Sequence, residues 1–289
     1  MDRDATCARH PGRPAATVCA RCERPTCAEE LVAAPVGYQC GACVASAPQV
    51  HRLREDAATP ATRGLVGAIA SVAVLDAFGA VAPVDLALVP ALVAAEPWRL
   101  VSSALLHAGL LHLGFNALLL WQLGRVLEPR VGPRGLLALG AVGMTGGAFG
   151  VMVMTWLSIA TPLATVPVLG ALLATGPLTG TVGASGAVFG LMGAVLGILR
   201  RRGVDPRSTR IGASVSSLVA INLVLTVLVP AISVGGHVGG LVAGLAAGRT
   251  VASDRSHRDR AALTWALLAL GLLIAAYVVG GDLVARLLP

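Results

Sequence analysis

The sequence predicts an all-α polytopic membrane protein with a small cysteine-rich domain at its N-terminus, and three observations carry that prediction. Long apolar runs fill the chain from Gly64 onward: 55% of the 289 residues are hydrophobic and 13% are charged, where a soluble domain carries roughly 25% charged residues. All six cysteines lie between Cys7 and Cys43. All 22 basic residues are arginine, and they gather in alternate breaks between the apolar runs.

The elements follow in order. Residues 1–45 are polar and Cys-rich, and 46–62 read as a linker. Residues 63–252 form a six-helix membrane core, and 253–289 hold a cytoplasmic loop and a seventh transmembrane helix. A bilayer core takes about 20 apolar residues per helix, which places helices at 64–83, 101–124, 135–158, 183–199, 211–229, 236–252 and 262–281. The run 159–178 is apolar but holds three prolines. It is either a loop with an interfacial segment or an extension of the third helix, and the loop is preferred. The first 60 residues lack an apolar stretch followed by a cleavage site, so no signal peptide is expected.

Orientation follows from arginine. With the N-terminus in the cytoplasm and sides alternating, the inner segments hold 20 arginines and the outer segments two, Arg99 and Arg286. Without the N-terminal domain the ratio is 12 to 2. The positive-inside rule therefore selects a cytoplasmic N-terminus in the plasma (cytoplasmic) membrane. The net charge of +7 is that loop asymmetry, not a nucleic-acid surface. Aromatics, at 3%, supply no stacking platform for single strands.

In this topology the fourth and sixth helices both begin at the outer face. Ser185 lies near the start of one and His237 near the start of the other. A lone serine in a Gly/Ala-rich membrane helix is ordinarily a packing residue. An intramembrane histidine points to function, though at a helix start water or a carbonyl satisfies it equally well. Glycine spacing adds geometry: Gly236, Gly240, Gly244 and Gly248 recur every four residues, and Gly186, Gly190, Gly193 and Gly197 share one face. Two such stripes let helices touch backbone to backbone, which brings Ser185 and His237 within reach of an activated-nucleophile arrangement. Asp76, inside the first helix, and Asn222, in the fifth, receive no role; for Asn222 an interhelical hydrogen bond is expected.

These residues give the chain its resemblance to the rhomboid family of intramembrane serine proteases. Gly183-Ala184-Ser185-Gly186 is similar to the family's GxSG motif, and His237 with Gly240 and Gly244 to its His-x-x-Gly-x-x-x-Gly pattern. His107, His112 and Asn116 match the second-helix pattern, Trp98-Arg99 the outer-loop pair, and Glu128 the inner end of that helix. The resemblance covers about residues 64–252. It implies a rhomboid-like core and a Ser185–His237 dyad without a third acid. It also implies an oxyanion hole from His112, Asn116 and the Ser185 backbone N–H, a structural or water-positioning His107, and a fifth helix that gates laterally. No cofactor is expected for catalysis. The expected partners are transmembrane protein substrates and the lipid bilayer. Two other readings stand beside the protease: a catalytically silent escort of membrane proteins, and a transporter, which the lack of inverted repeats disfavours.

The N-terminal segment reads Cys7-x2-His10, Cys19-x2-Cys22, Cys27-x2-Glu30 and Cys40-x2-Cys43. Ligands two residues apart are usual for structural zinc, and a polar segment this short needs a staple in place of a core. A cytoplasmic setting disfavours disulfides. The pattern resembles a B-box-type zinc finger with two interleaved sites. That resemblance implies one site of Cys19, Cys22, Cys40 and Cys43. The other has Cys7, His10 and Cys27, with Glu30, Glu29 or water as fourth ligand. Docking of a cytoplasmic protein partner, or regulation, is the expected role.

Overall fold

The computed structural model describes residues 5–33, 37–46, 59–166, 170, 176–251 and 258–287. The chain divides into two compact units, Met1–Ala57 and Ala58–Pro289. Most of the expected linker lies outside the described residues.

The first unit is built on two small hairpins. Strand β1 (Thr17–Val18) pairs antiparallel with β2 (Pro25–Thr26), and β3 (Leu31–Ala33) with β4 (Tyr38–Cys40); a one-turn helix α1 (Gly41–Ala45) follows. Cys7, Cys19 and Cys27 are its buried apolar residues, so its interior is sulfur rather than a hydrocarbon core.

The second unit is helical. Helix α2 (Pro60–Ala77) starts on Pro60, where a missing N–H costs nothing. The short helices α3 (Pro83–Leu86) and α4 (Arg99–Ser102) belong to a structured loop, and helix α5 runs over Leu110–Ala160. Its 51 residues break at Gly132, whose φ of 79° lies between Pro129 and Pro133. Pro133 lacks an N–H to continue the ladder, and glycine alone adopts that φ without strain. The two arms, 110–131 and 133–160, extend roughly 33 and 42 Å at 1.5 Å per residue, each enough for a hydrocarbon core of about 30 Å. Helices α6 (Ser185–Arg201), α7 (Arg210–Leu228), α8 (Val234–Gly248) and α9 (Arg258–Leu287) complete the unit.

Each of the seven predicted apolar runs thus lies wholly or largely on helix among the described residues. Helices α2, α5, α7 and α9 are long and apolar enough to cross a membrane, and the protein is an integral multi-pass membrane protein. Boundaries differ where backbone breakers act. The second predicted helix begins at Leu110 instead of residue 101, because a 3-10 turn (Ser103–Leu105), extended Leu106 and Gly109 with φ 93° interrupt it. The third ends at Ala160, where Thr161 is extended and Pro162 follows. In the rest of 159–178, Pro162–Thr165 forms a 3-10 turn, and 167–169 and 171–175 lie outside the described residues. Asp76 lies inside α2 as expected, in its last turn and half-buried.

The interior is arranged around backbone contact. A methyl group on Gly143 would fall 2.7 Å from Gly190 Cα, one on Gly147 2.8 Å from the Gly236 carbonyl, and one on Gly244 2.6 Å from Gly190 Cα. The second arm of α5, α6 and α8 therefore meet along a three-helix glycine seam. Leu136, Leu139, Val142, Leu191 and Met192 are fully buried around it. Apolar side chains on α2, α7 and α9, such as Val74, Val227 and Leu267, are exposed, the surface a lipid-facing helix presents.

Glu128 anchors α2 to the first arm of α5. Buried at 2% exposure, its carboxylate accepts from the backbone N–H groups of Ala61 and Thr62, each at 2.9 Å, and from the Thr62 hydroxyl at 2.6 Å. It thereby satisfies donors that the start of α2 leaves unpaired.

Candidate active site

Ser185 is the first residue of α6. The first N–H groups of a helix lack intrahelical partners, so the Ser185 N–H is available to an incoming oxygen. The loop leading to it is clamped. Leu88 and Thr181 exchange backbone hydrogen bonds at 3.0 and 2.9 Å, and Gly183 N–H donates to the Ser103 carbonyl at 2.9 Å. Buried Arg99 supports the same loop region, donating to the carbonyls of Val84 and Ala87 at 2.7 and 2.8 Å and pairing with Glu96. Trp98 Nε1 donates to the Asp85 carbonyl.

Gly183 has φ 127°, and a methyl group there would lie 2.6 Å from His112 Cε1 and 2.8 Å from Nε2. Both facts demand glycine, and together they place the His112 ring edge against the loop two residues before Ser185. The Ala108 N–H donates to His112 Nδ1 at 3.3 Å. Nδ1 is then the acceptor nitrogen, and in a neutral ring Nε2 carries the hydrogen. The nitrogen beside Gly183 is thus a donor. Asn116 is buried; its Nδ2 donates one hydrogen to the His112 carbonyl at 2.8 Å and retains a second.

His107 lies in the segment just before α5, not on helix as the 101–124 bounds expected, for the backbone reasons given above. Its ring lies edge-on to His112 with centroids 5.2 Å apart. Both of its nitrogens are buried with no partner among the described residues.

His237 lies in the first turn of α8, which Ser233 caps by accepting from the Gly236 N–H at 3.1 Å. Its ring stacks on Phe189, centroids 4.2 Å apart and planes 19° from parallel. Phe189 is four residues after Ser185, hence on the same face of α6. His237 Nδ1 is 2.6 Å from the Thr226 hydroxyl. Ser185 Oγ has no hydrogen-bond partner among the described residues, so no direct hydrogen bond joins it to His237. Phe189 and Thr226 were not singled out from the sequence; an aromatic or a threonine in an apolar helix carries no local signal. Asn222 bonds the Leu218 carbonyl of its own helix at 2.8 Å, not a neighbouring helix as expected.

In the N-terminal unit, the sulfurs of Cys19, Cys22, Cys40 and Cys43 lie within 4.8 Å of one another, as do the ligand atoms of Cys7, His10 and Cys27. Both groups can hold a metal ion. Cys22 and Cys40 Sγ are 3.8 Å apart, the edge of a tetrahedron with metal–sulfur bonds of about 2.3 Å. The Cys40 backbone N–H donates to Cys19 Sγ at 3.2 Å and pulls that thiol down to about 6. Hydrogen bonding with the Cys22 and Cys40 side chains pushes the Cys43 thiol up to about 12. Glu30 is not brought to the second group. It ends a one-turn 3-10 helix (Ala28–Glu30), and its Oε1 is 3.5 Å from Arg9 Nε.

A family model for the rhomboid domain matches residues 94–254, a span containing His107, His112, Asn116, Ser185 and His237. Over 78 residues the chain is 38% identical to the rhomboid protease GluP of Bacillus subtilis (strain 168). That match spans 27% of this chain and 15% of GluP. With the family model covering more than half of its length, the chain belongs to the rhomboid family.

Proposed function

We propose that the chain is an intramembrane serine endopeptidase that cleaves membrane proteins in or near their transmembrane segments through a Ser185–His237 dyad. The observation that carries the reading is the stacking of His237 on Phe189, one helical turn from Ser185. Ser185 Oγ attacks the scissile carbonyl while His237 takes its proton, then returns it to the leaving amine; water later hydrolyses the acyl-enzyme by the reverse sequence. The oxyanion of each tetrahedral intermediate lies between the Ser185 N–H, His112 Nε2–H and the spare Asn116 Nδ2–H, donors set in place before reaction. The start of α6 adds a favourable dipole.

The arginine asymmetry supports a cytoplasmic N-terminus, six core spans plus a seventh, and a site opening toward the outer face of the plasma membrane. Tetrahedral sulfur spacing supports structural zinc in a B-box-like N-terminal domain. Cys19, Cys22, Cys40 and Cys43 would form one site and Cys7, His10 and Cys27 would contribute to another, with a cytoplasmic protein as the expected partner.

A fluorophosphonate probe tests the reading on the purified chain. Wild type is expected to label and Ser185→Ala not to; labelling that persists in Ser185→Ala removes Ser185 as nucleophile. Cleavage of a model transmembrane substrate is expected to disappear in His237→Ala. A wild type that cleaves nothing across a broad substrate panel favours the escort reading instead.

A further inference from the structure

Building on the dyad reading, we infer that Thr226 is the positioning residue for His237: its hydroxyl holds the imidazole as the Nδ1–H tautomer and so leaves Nε2 as the basic nitrogen. A triad assigns this task to a carboxylate; here a neutral hydroxyl on α7 performs it.

The hydrogen inventory carries the argument. Thr226 Oγ1 has two neighbours, the Asn222 carbonyl oxygen at 2.7 Å and His237 Nδ1 at 2.6 Å. A hydroxyl owns one hydrogen, and a carbonyl can only accept. The O–H therefore donates to Asn222, and Oγ1 meets His237 with a lone pair. The imidazole must supply the hydrogen, so Nδ1 is protonated. A neutral imidazole has one N–H, which makes Nε2 the acceptor that a serine nucleophile requires. Thr226 is 2% exposed and His237 8%, so bulk water does not compete for the bond. Phe189 restrains the ring face while Thr226 restrains rotation in the ring plane. A buried threonine that back-bonds to the carbonyl four residues earlier is ordinary in helices. Its second partner, eleven residues away on another helix, is what a helix-local role does not explain.

The test uses the full-length chain in detergent and two readouts. One is the second-order rate of fluorophosphonate inactivation. The other is the ring-nitrogen NMR spectrum, with His237 assigned by difference from His237→Gln. Wild type should show His237 as Nδ1–H. Thr226→Val keeps the shape and removes the acceptor; it should lose that signature and react on the order of 10- to 100-fold more slowly. Thr226→Ser restores the hydroxyl and should react within about threefold of wild type. Wild-type reactivity in Thr226→Val overturns the inference, as does equal slowing in Thr226→Val and Thr226→Ser, which marks a packing role. Should wild type fail to react with the probe at all, the dyad reading fails. The NMR spectrum then still decides Thr226, because an Nε2–H tautomer in wild type rules it out.

Discussion

The cysteine-rich head and the membrane body hold themselves together by opposite chemical means. In the head, side chains converge: six thiols and a histidine gather in two groups where a short polar segment has too few apolar residues to build a core. In the body, side chains are absent where it matters most. Gly143, Gly147, Gly186, Gly190, Gly236, Gly240 and Gly244 let three backbones touch. The difference follows from the solvent. A short chain in water lacks core area and needs a cross-link. In lipid, apolar burial between helices gains nothing, and close van der Waals contact drives association. Each unit therefore breaks by a different intervention.

The largest effect should come from stripping metal from the head. Because all six cysteines lie there, thiol alkylation of the intact chain reports on the head alone. All six are expected to react rapidly after strong chelation and slowly before it. Rapid reaction of all six in metal-replete protein would contradict a zinc-held head. Next in size is Gly244→Val, which drives a side chain into Gly190. Overpacking there should cost about 3 kcal/mol or more, seen as a lost or strongly lowered unfolding transition in detergent. A smaller loss, about 1–2 kcal/mol, is expected for Glu128→Gln, which keeps one acceptor oxygen for the Ala61 and Thr62 N–H groups and loses the other.

Two further substitutions sharpen the comparison by predicting little change. A methyl group on Gly271 meets nothing within 4 Å. Gly271→Ala should therefore leave stability unchanged or raise it by up to about 1 kcal/mol through helix propensity, in contrast to the seam glycines. Glu30→Gln should leave the zinc content per chain, measured by elemental analysis, unchanged, because Glu30 faces Arg9 and not the ligand group. A drop in zinc would restore Glu30 as a ligand.

Much of the site was legible in one dimension. The GASG motif, the His237 glycine pattern and the Cys-x2-Cys pairs are local, and local spacing survives folding. The α5 stripe of Gly143, Gly146, Gly147 and Gly150 escaped notice because its pattern acquires meaning only opposite α6 and α8. His107 was misplaced for a related reason: apolar composition continues through residues 101–109, while the backbone break at Leu106–Gly109 does not show in hydropathy. Glu30 kept the spacing of a ligand, yet the 3-10 turn carrying it points its carboxylate elsewhere.

By itself the sequence determined the two-unit division, the helical membrane body, the seven apolar runs and the residues that carry the family motifs, since each depends on composition or on spacing along one element. Only the tertiary structure decided what orients them. That Phe189 stacks on His237, that Thr226 bonds its Nδ1 and that His112 turns a donor nitrogen toward Gly183 are all contacts between separate segments. Side-chain direction and hydrogen-bond partners are set by the packing of those segments, and no spacing within any one of them encodes it.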